Sequence, residues 1–342
     1  LHSNIRKILF IIPLILFYAC KPKFPLNDDW SKKRFDLLNQ DSTHVLFPQL
    51  LKGKIGVVSF IYTNCPDICP LTTHNMALIQ NKLKNFGINK VLFISISFDS
   101  DGDTPSILKN YARVRNINLR NWMFLTGRKE TIKKIAKSAK VFYAQSDSTI
   151  LNNKTIKRYF VHTDRISLFD SNLHLRKNYY GSTINLNEII TDIKHLRKKM
   201  KKMTLLGIKE SISACSKNKT VNQNIAIKAT NAIVTPAAKG ANAAVFMKIT
   251  NYTSSNDTLF SVFSSASQLT QLHKSFKTSN GNMGMKRINN LVIPSNKSVY
   301  LKHGGVHIML IGVKRDLNIN DTLKVKLYLK NAHSLEIPAV VK

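Results

Sequence analysis

A short apolar run ending in two closely spaced cysteines constrains this chain more than any other feature. Ile55-Gly56-Val57-Val58-Ser59-Phe60-Ile61-Tyr62 leads directly into Thr63-Asn64-Cys65-Pro66-Asp67-Ile68-Cys69-Pro70. β-Branched and aromatic residues in so short a run specify a buried strand. Asn64 suits a helix N-cap, and Pro66 suits the first turn, where a missing N–H costs nothing. Cys65 and Cys69 then stand one helical turn apart with both sulfurs on one face. Two thiols so placed can close a disulfide or clamp one soft metal ion. A structural disulfide is the plain alternative in an exported protein. The strand-to-helix junction favours function, because thioredoxin-type folds present low-pKa thiols there.

The flanking pattern supplies an α/β layer. Residues 72–86 carry Met76, Leu78, Ile79 and Leu83 on one helical face and stop at Gly87. Residues 91–98 read as a second buried strand, 105–114 as a helix and 122–125 as a short strand. A helix over 129–139, two strand pieces around His162 within 159–169, and a basic helix over 187–199 complete it. Strands alternating with helices imply an α/β thioredoxin-like domain. The run Asp99-Ser100-Asp101-Gly102-Asp103 carries the acids of a calcium loop. Its glycine falls too early and Asn110 stands where the closing glutamate belongs, so we read it as the acidic start of a helix and expect no calcium.

Helical periodicity disappears after residue 224. Short apolar or alternating pieces at 225–229, 243–250, 258–264, 291–293, 299–301, 309–313 and 322–329 are separated by Asn, Ser, Gly and Pro. They specify an all-β sandwich, cupredoxin-like in size. Residues 200–223 between the two patterns are a basic linker containing Cys215, either a plain linker or the remnant of a second lipoprotein signal.

The first residues bear on the compartment. Arg6 and Lys7 precede an apolar stretch over 8–17, then Tyr18-Ala19-Cys20. That order is a lipoprotein-type signal over 1–20 with Cys20 as the lipidated residue, an uncleaved anchor being the alternative. Residues 21–39 read as a polar tether. Both alternatives place the protein in the cell envelope, facing the periplasm and tethered to a membrane. The formal net charge of +33 raises the question of nucleic acid. The lysines are spread along the chain, and no RNA-recognition, zinc-finger or P-loop pattern accompanies them, so nucleic acid is not expected. The dense cluster at Lys194, Arg197, Lys198, Lys199, Lys201 and Lys202 suits an anionic membrane surface.

Residues 53–70, Asp99, Asp103-Thr104-Pro105, the segment from Trp122 to Gly127 and Val161-His162-Thr163 together resemble the Sco/SenC family of thioredoxin-like copper proteins. The resemblance covers about residues 40–199 and implies a copper site at Cys65, Cys69 and His162. Ser100 stands where the family usually has proline. Thiolates are soft donors that select Cu(I), and an imidazole completes a site able to hold Cu(II) as well. His74, in the helix after Cys69, is expected to face solvent.

In the β domain, His273, Met285 and the pair His307-Ile308-Met309 stand at the spacing of the periplasmic copper chaperone family known as PCuAC, as does the run from Leu301 to Leu310. This resemblance covers about residues 225–342 and implies a Cu(I) site at His273, Met285, His307 and Met309. Lys274 replaces a methionine usual in that family and is expected to weaken the site by its charge. His303 stands where proline is common and is expected to offer a further donor.

Together these readings give two domains, 40–199 and 224–342, and the function of a membrane-tethered copper metallochaperone. By resemblance, its recipient is the copper-bearing subunit of cytochrome c oxidase. The rival reading is an enzyme, a thiol–disulfide reductase using Cys65 and Cys69 as a redox pair without metal. Copper buffering or sensing is a third.

Overall fold

The structure is a computed structural model describing residue 24 and residues 26–151, 154–201 and 226–342. Cys20, Cys215 and most of the basic linker lie outside the described residues. The chain before the cysteines forms β1 (Asp28–Asp29), β2 (Phe35–Asn39), β3 (His44–Phe47) and β4 (Ile55–Ile61). There follow α1 (Ile68–Asn85), β5 (Val91–Ser97), α2 (Pro105–Val114), β6 (Trp122–Thr126) and α3 (Lys129–Ala139). A hairpin of β7 (Tyr143–Ile150) and β8 (Ile156–His162), then β9 (Ile166–Phe169), β10 (His174–Tyr179) and α4 (Leu186–Lys201), complete the first half.

β4 and β5 are buried at every residue, as strands covered by helices on both faces must be. They pair in parallel with each other and β5 with β6, while β9 flanks β4 antiparallel. The sheet order is β1-β10-β9-β4-β5-β6-β2-β3, the thioredoxin-like layer expected from the alternation of strands and helices. Residues expected to be a polar tether instead enter this layer. β2 pairs with β6, and Trp30 and Leu37 are buried. Trp30 meets Phe47 and Phe169 edge-on, so a few large apolar side chains recruit an otherwise polar stretch.

The second half comprises β11 (Ile227–Val234), β12 (Ala243–Asn251), β13 (Asp257–Phe263), β14 (Ser267–Lys277) and β15 (Met283–Arg287). It continues through β16 (Leu291–Ile293), β17 (Ser298–Leu301), β18 (Val306–Val313), β19 (Thr322–Leu329) and β20 (His333–Val341). This is the expected all-β sandwich, its core built from Val245, Ile249, Leu259, Ile308, Leu310, Val325 and Leu327. β14, β15 and β20 had no signature in the sequence, and the first two carry His273 and Met285.

The halves are not held apart. β15 meets β8 through the single pair Met283 and His162, so the sheet of the second half runs into the β7–β8 hairpin. Met285, Met309 and Ile311 share one continuous apolar core with Cys65, Cys69 and the first sheet. No helix among the described residues is long and apolar enough to cross a membrane.

Candidate metal centre

The cysteine loop leaves the carboxyl end of β4, and a buried acid holds its start. Asp103 accepts hydrogen bonds from the Thr63 N–H, the Thr63 hydroxyl and the Ser97 hydroxyl. Burial is the main cause that pushes its carboxyl up to about 7. Asp99 and Asp103 of the acidic turn therefore face inward while Asp101 stays exposed, and the cap of α2 is Thr104, which accepts from the Ile107 N–H. Asn64 does not cap α1 either. The N-cap position is Asp67, without a side-chain cap, and Pro66 precedes the helix. Asn64 instead accepts from Lys157 Nζ at 3.3 Å. Cys65 thus lies in the loop and Cys69 in the first turn of α1, and the Cys69 N–H donates to Cys65 Sγ at 3.4 Å.

β8 delivers the third group. His162 Nε2 lies 3.8 Å from Cys69 Sγ, and the ligand atoms of Cys65, Cys69 and His162 all fall within 4.8 Å of one another. His162 Nδ1 faces the Thr163 carbonyl at 3.2 Å, which requires a proton on Nδ1 and turns Nε2 toward the sulfurs. Tyr62 and Phe98 hold the ring from two sides. Burial opposes ionisation of both thiols, but hydrogen bonds from Cys69 and His162, with the charge on His162, bring Cys65 well below the usual thiol range. Burial and the neighbouring Cys65 push Cys69 well above it. The two thiols are therefore unequal, with Cys65 the more acidic of the pair. Both cysteines are free.

The second donor set forms by strand register. His273 on β14 pairs with His307 on β18, Gln271 with Met309, and Ser275 with Met285 on β15. Alternation of side chains puts His273, Met285, His307 and Met309 on one face. All four are buried. His307 Nδ1 donates to the Gly305 carbonyl at 3.2 Å, and His273 Nε2 faces the Gln271 side-chain oxygen at 3.1 Å. His307 Nε2 and His273 Nδ1 are left buried without a hydrogen-bond partner. Native proteins rarely strand such nitrogens, and here each is the free lone pair of a neutral imidazole. Burial is the main cause that holds His273 down to about 3, and the charge of Arg287 acts in the same direction. Two orphaned imidazole lone pairs beside two thioethers fit a soft, monovalent cation.

This face turns toward the cysteine loop. Ser275 Oγ, on the same strand face as His273, donates to Asp67 at 2.6 Å. Asp67 also lies 3.9 Å from His307 Nδ1. Burial works against its charge, and the hydrogen bonds from His303 and Ser275 are among the causes that outweigh burial and leave its carboxyl below the usual range. Two expectations need correction. Lys274 is exposed on the opposite strand face, so its charge does not point into the donor set. His303 is not free to be a further donor through Nδ1, which bonds Asp67 at 2.7 Å while the ring packs on Phe246 at 3.9 Å. His74 is exposed, as expected. Asp67 and Ser275 were invisible to sequence reasoning, since the residues they bind lie more than two hundred positions away.

Comparison with known proteins finds a separate match for each half of the chain. A family model described as SCO1/SenC matches residues 26–198, and one described as putative lipoprotein LpqE-like matches 224–341. The SCO1 protein homolog of Bacillus subtilis is 31% identical over 187 residues, covering 53% of this chain and 92% of the relative. A solved structure of BsSco, described as a member of the Sco family of cytochrome c oxidase assembly proteins with a disulfide switch, is 30% identical. It covers 51% of this chain and 96% of its own, with a TM-score of 0.41. A copper-bound PCuAC domain from PmoF2 is 19% identical, covers 35% of this chain and 96% of its own, and has a TM-score of 0.30. With half of its length matched by the family model and a relative covered almost end to end, the chain belongs to the SCO1/SenC family and carries an LpqE-like second domain.

Proposed function

We propose that the chain is a membrane-tethered metallochaperone of the cell envelope whose cargo is copper. Cys65, Cys69 and His162 form one copper site, and His273, Met285, His307 and Met309 form a second. The first domain takes in β1 and β2 as well as residues 40–199, the second spans 224–342, and the basic linker joins them. The observation that carries this reading is the meeting of two soft donor sets across one interface, one of them holding two orphaned imidazole nitrogens. Thiolates neutralise the cation's charge and are the softer ligands, so the reduced cysteine site takes Cu(I) first. Thioethers and imidazoles stay competent where thiols are lost to a disulfide. Resemblance to the Sco/SenC family supports the binuclear copper centre of cytochrome c oxidase as the recipient. Copper titration tests the core of the proposal. Reduced protein will bind two equivalents of Cu(I), and protein oxidised at Cys65 and Cys69 will bind one. One equivalent in both states would remove the first site.

The split between a low-pKa Cys65 and a high-pKa Cys69 favours a second reading, thiol–disulfide exchange on a partner's cysteines. His162 separates the two: its loss removes a copper ligand outright, whereas for exchange it removes only one of the contacts that lower Cys65, so exchange slows and copper binding at this site is lost. Tethering is assigned to Cys20, with the Lys194–Lys202 cluster adding attraction to anionic headgroups of about 1 kcal/mol per basic residue near the surface. Unlipidated protein will therefore bind anionic liposomes, and the binding will fall steeply as salt rises. Salt-insensitive binding would make that charge incidental.

A further inference from the structure

Every donor of both sets is closed off in this structure. Cys65 and Cys69 are 1% exposed, His162 3%, His273 2%, Met285 6%, and His307 and Met309 0%. A carrier reaches neither set while this closed arrangement holds. What holds the two domains together thus decides when cargo moves, and the contacts concentrate on the cysteine loop itself. The Asn242 side-chain amide donates to the Asn64 carbonyl at 3.0 Å, and the Thr235 hydroxyl to the Pro66 carbonyl at 3.5 Å. Between the two cysteines, Asp67 is completely buried and takes three hydrogen bonds from the second domain. They come from His303 Nδ1 at 2.7 Å, the Ser275 hydroxyl at 2.6 Å and the Gly304 N–H at 3.0 Å. Gly304 sits at φ +70°, a left-handed conformation that directs its N–H into the carboxylate and that other residues adopt at a cost.

We infer that Asp67 is the positioning residue that seats the second domain on the cysteine loop, making one closed chamber in which copper passes between the two donor sets. This rests on the proposed function for the identity of the cargo but not for the clamp. A carboxylate buried at a joint is stable only while its donors stay in place, because hydrogen bonds to a charged group are the strong ones and an unpaired buried charge is costly. The clamp is also well placed to report on cargo. Asp67 lies two residues from each cysteine, so a loop that shifts around an ion shifts the carboxylate against its three donors. His303, expected as a copper donor, is instead the far half of this clamp.

The test uses the full-length, reduced, metal-free protein and the rate at which a bulky thiol reagent modifies Cys65 and Cys69. His303→Ala and Ser275→Ala lie in the other domain and belong to neither donor set, so they leave the cysteine ligands themselves intact. Each will speed modification by about 10- to 100-fold, the loss of one charge-assisted hydrogen bond. Asp67→Ala will do so at least as strongly, and Asp67→Asn, which still accepts from Ser275 and Gly304, will fall between. His303→Ala added to Asp67→Ala will give no further gain, because both remove the same contact. Small-angle scattering will show the variants more extended than the parent. Equal modification rates in all variants, or a parent whose thiols react as fast as theirs, would overturn the clamp. Rates that rise as stated in a chain binding no Cu(I) would leave the clamp standing and sink the copper assignment. A chain that binds Cu(I) with rates unmoved by His303→Ala and Ser275→Ala would do the reverse.

Discussion

With Cys65→Ser and Cys69→Ser in place, one equivalent of Cu(I) will bind through nitrogen and thioether donors instead of through sulfur-rich coordination with one nitrogen. The parent places the ligand atoms of Cys65, Cys69 and His162 within 4.8 Å, a pocket ready for a two- or three-coordinate ion. Removing both thiolates takes away the only donors in either set that cancel the cation's charge. The loss of affinity at the first site will span several orders of magnitude. The ion will not leave the protein, because His273, Met285, His307 and Met309 lie across the same interface. X-ray absorption on the parent, the double variant and oxidised parent will distinguish the states. Oxidised parent will match the double variant, since a disulfide withdraws both thiolates. Identical spectra in all three samples would show that the sets do not compete for one ion, and the relay would fall.

The second large effect is on stability. Asp103 is raised to about 7 from an ordinary 3.8, with burial as the largest cause. A carboxyl that holds its proton more tightly when folded stabilises the fold fully below its unfolded pKa. That contribution is lost as pH rises from about 4 through about 7, and little further change follows above it. At 1.36 kcal/mol per unit the shift is worth about 4 kcal/mol, as an order of magnitude. Asp103→Asn removes the ionisation while an amide oxygen in the place of Oδ2 still accepts from the Thr63 N–H and the Ser97 hydroxyl, and the amide NH2 in the place of Oδ1 donates to the Thr63 hydroxyl. Urea midpoints of the parent will fall between pH 4.5 and pH 8 relative to those of Asp103→Asn. Carboxylates held low elsewhere, such as Asp257 and Asp316, work in the opposite sense at more acid pH and are common to both proteins. Parallel pH profiles would show that Asp103 does not titrate in this window. Because Asp103 anchors Thr63, two residues before Cys65, the parent's cysteine loop will also loosen as the pH rises.

The architecture was legible wherever a physical requirement repeats along the chain. Strands buried on both faces must be apolar throughout, so β4 and β5 were plain, and α3 was found with its exact bounds. The spacing of His273, Met285, His307 and Met309 was read by resemblance, and strand register explains it. The pairing of His273 with His307 and the alternation of His307 with Met309 put their side chains on one face. The strands bearing His273 and Met285 were not found. One face of β14 and β15 meets another domain, so it carries histidine, serine and methionine in place of the aliphatic residues that mark a core strand. The cap at Asn64 was a local rule correctly applied that tertiary contacts overrode, since its backbone carbonyl and side chain are taken by Asn242 and Lys157. Asp67 was beyond reach for a stricter reason. Nothing local distinguishes an acid that will meet solvent from one that will meet a turn 236 positions later.

The joint between β8 and β15 bears on how freely the two halves can be exchanged. A tandem chain on a loose linker accepts any replacement for either half, since neither sees the other's surface. Here the sheet crosses from one half to the other at Met283 and His162, and the Gly284 backbone approaches Val161 so closely that an added Cβ would lie 2.8 Å from its side chain. A transplanted second half would have to bring a small residue at position 284, a serine at 275 and a hydrogen-bonding turn at 303–304. The receiving half would have to offer an acid between its cysteines. The halves are tradable only as a matched set, and a chimera built at the linker alone would join two intact folds that no longer fit.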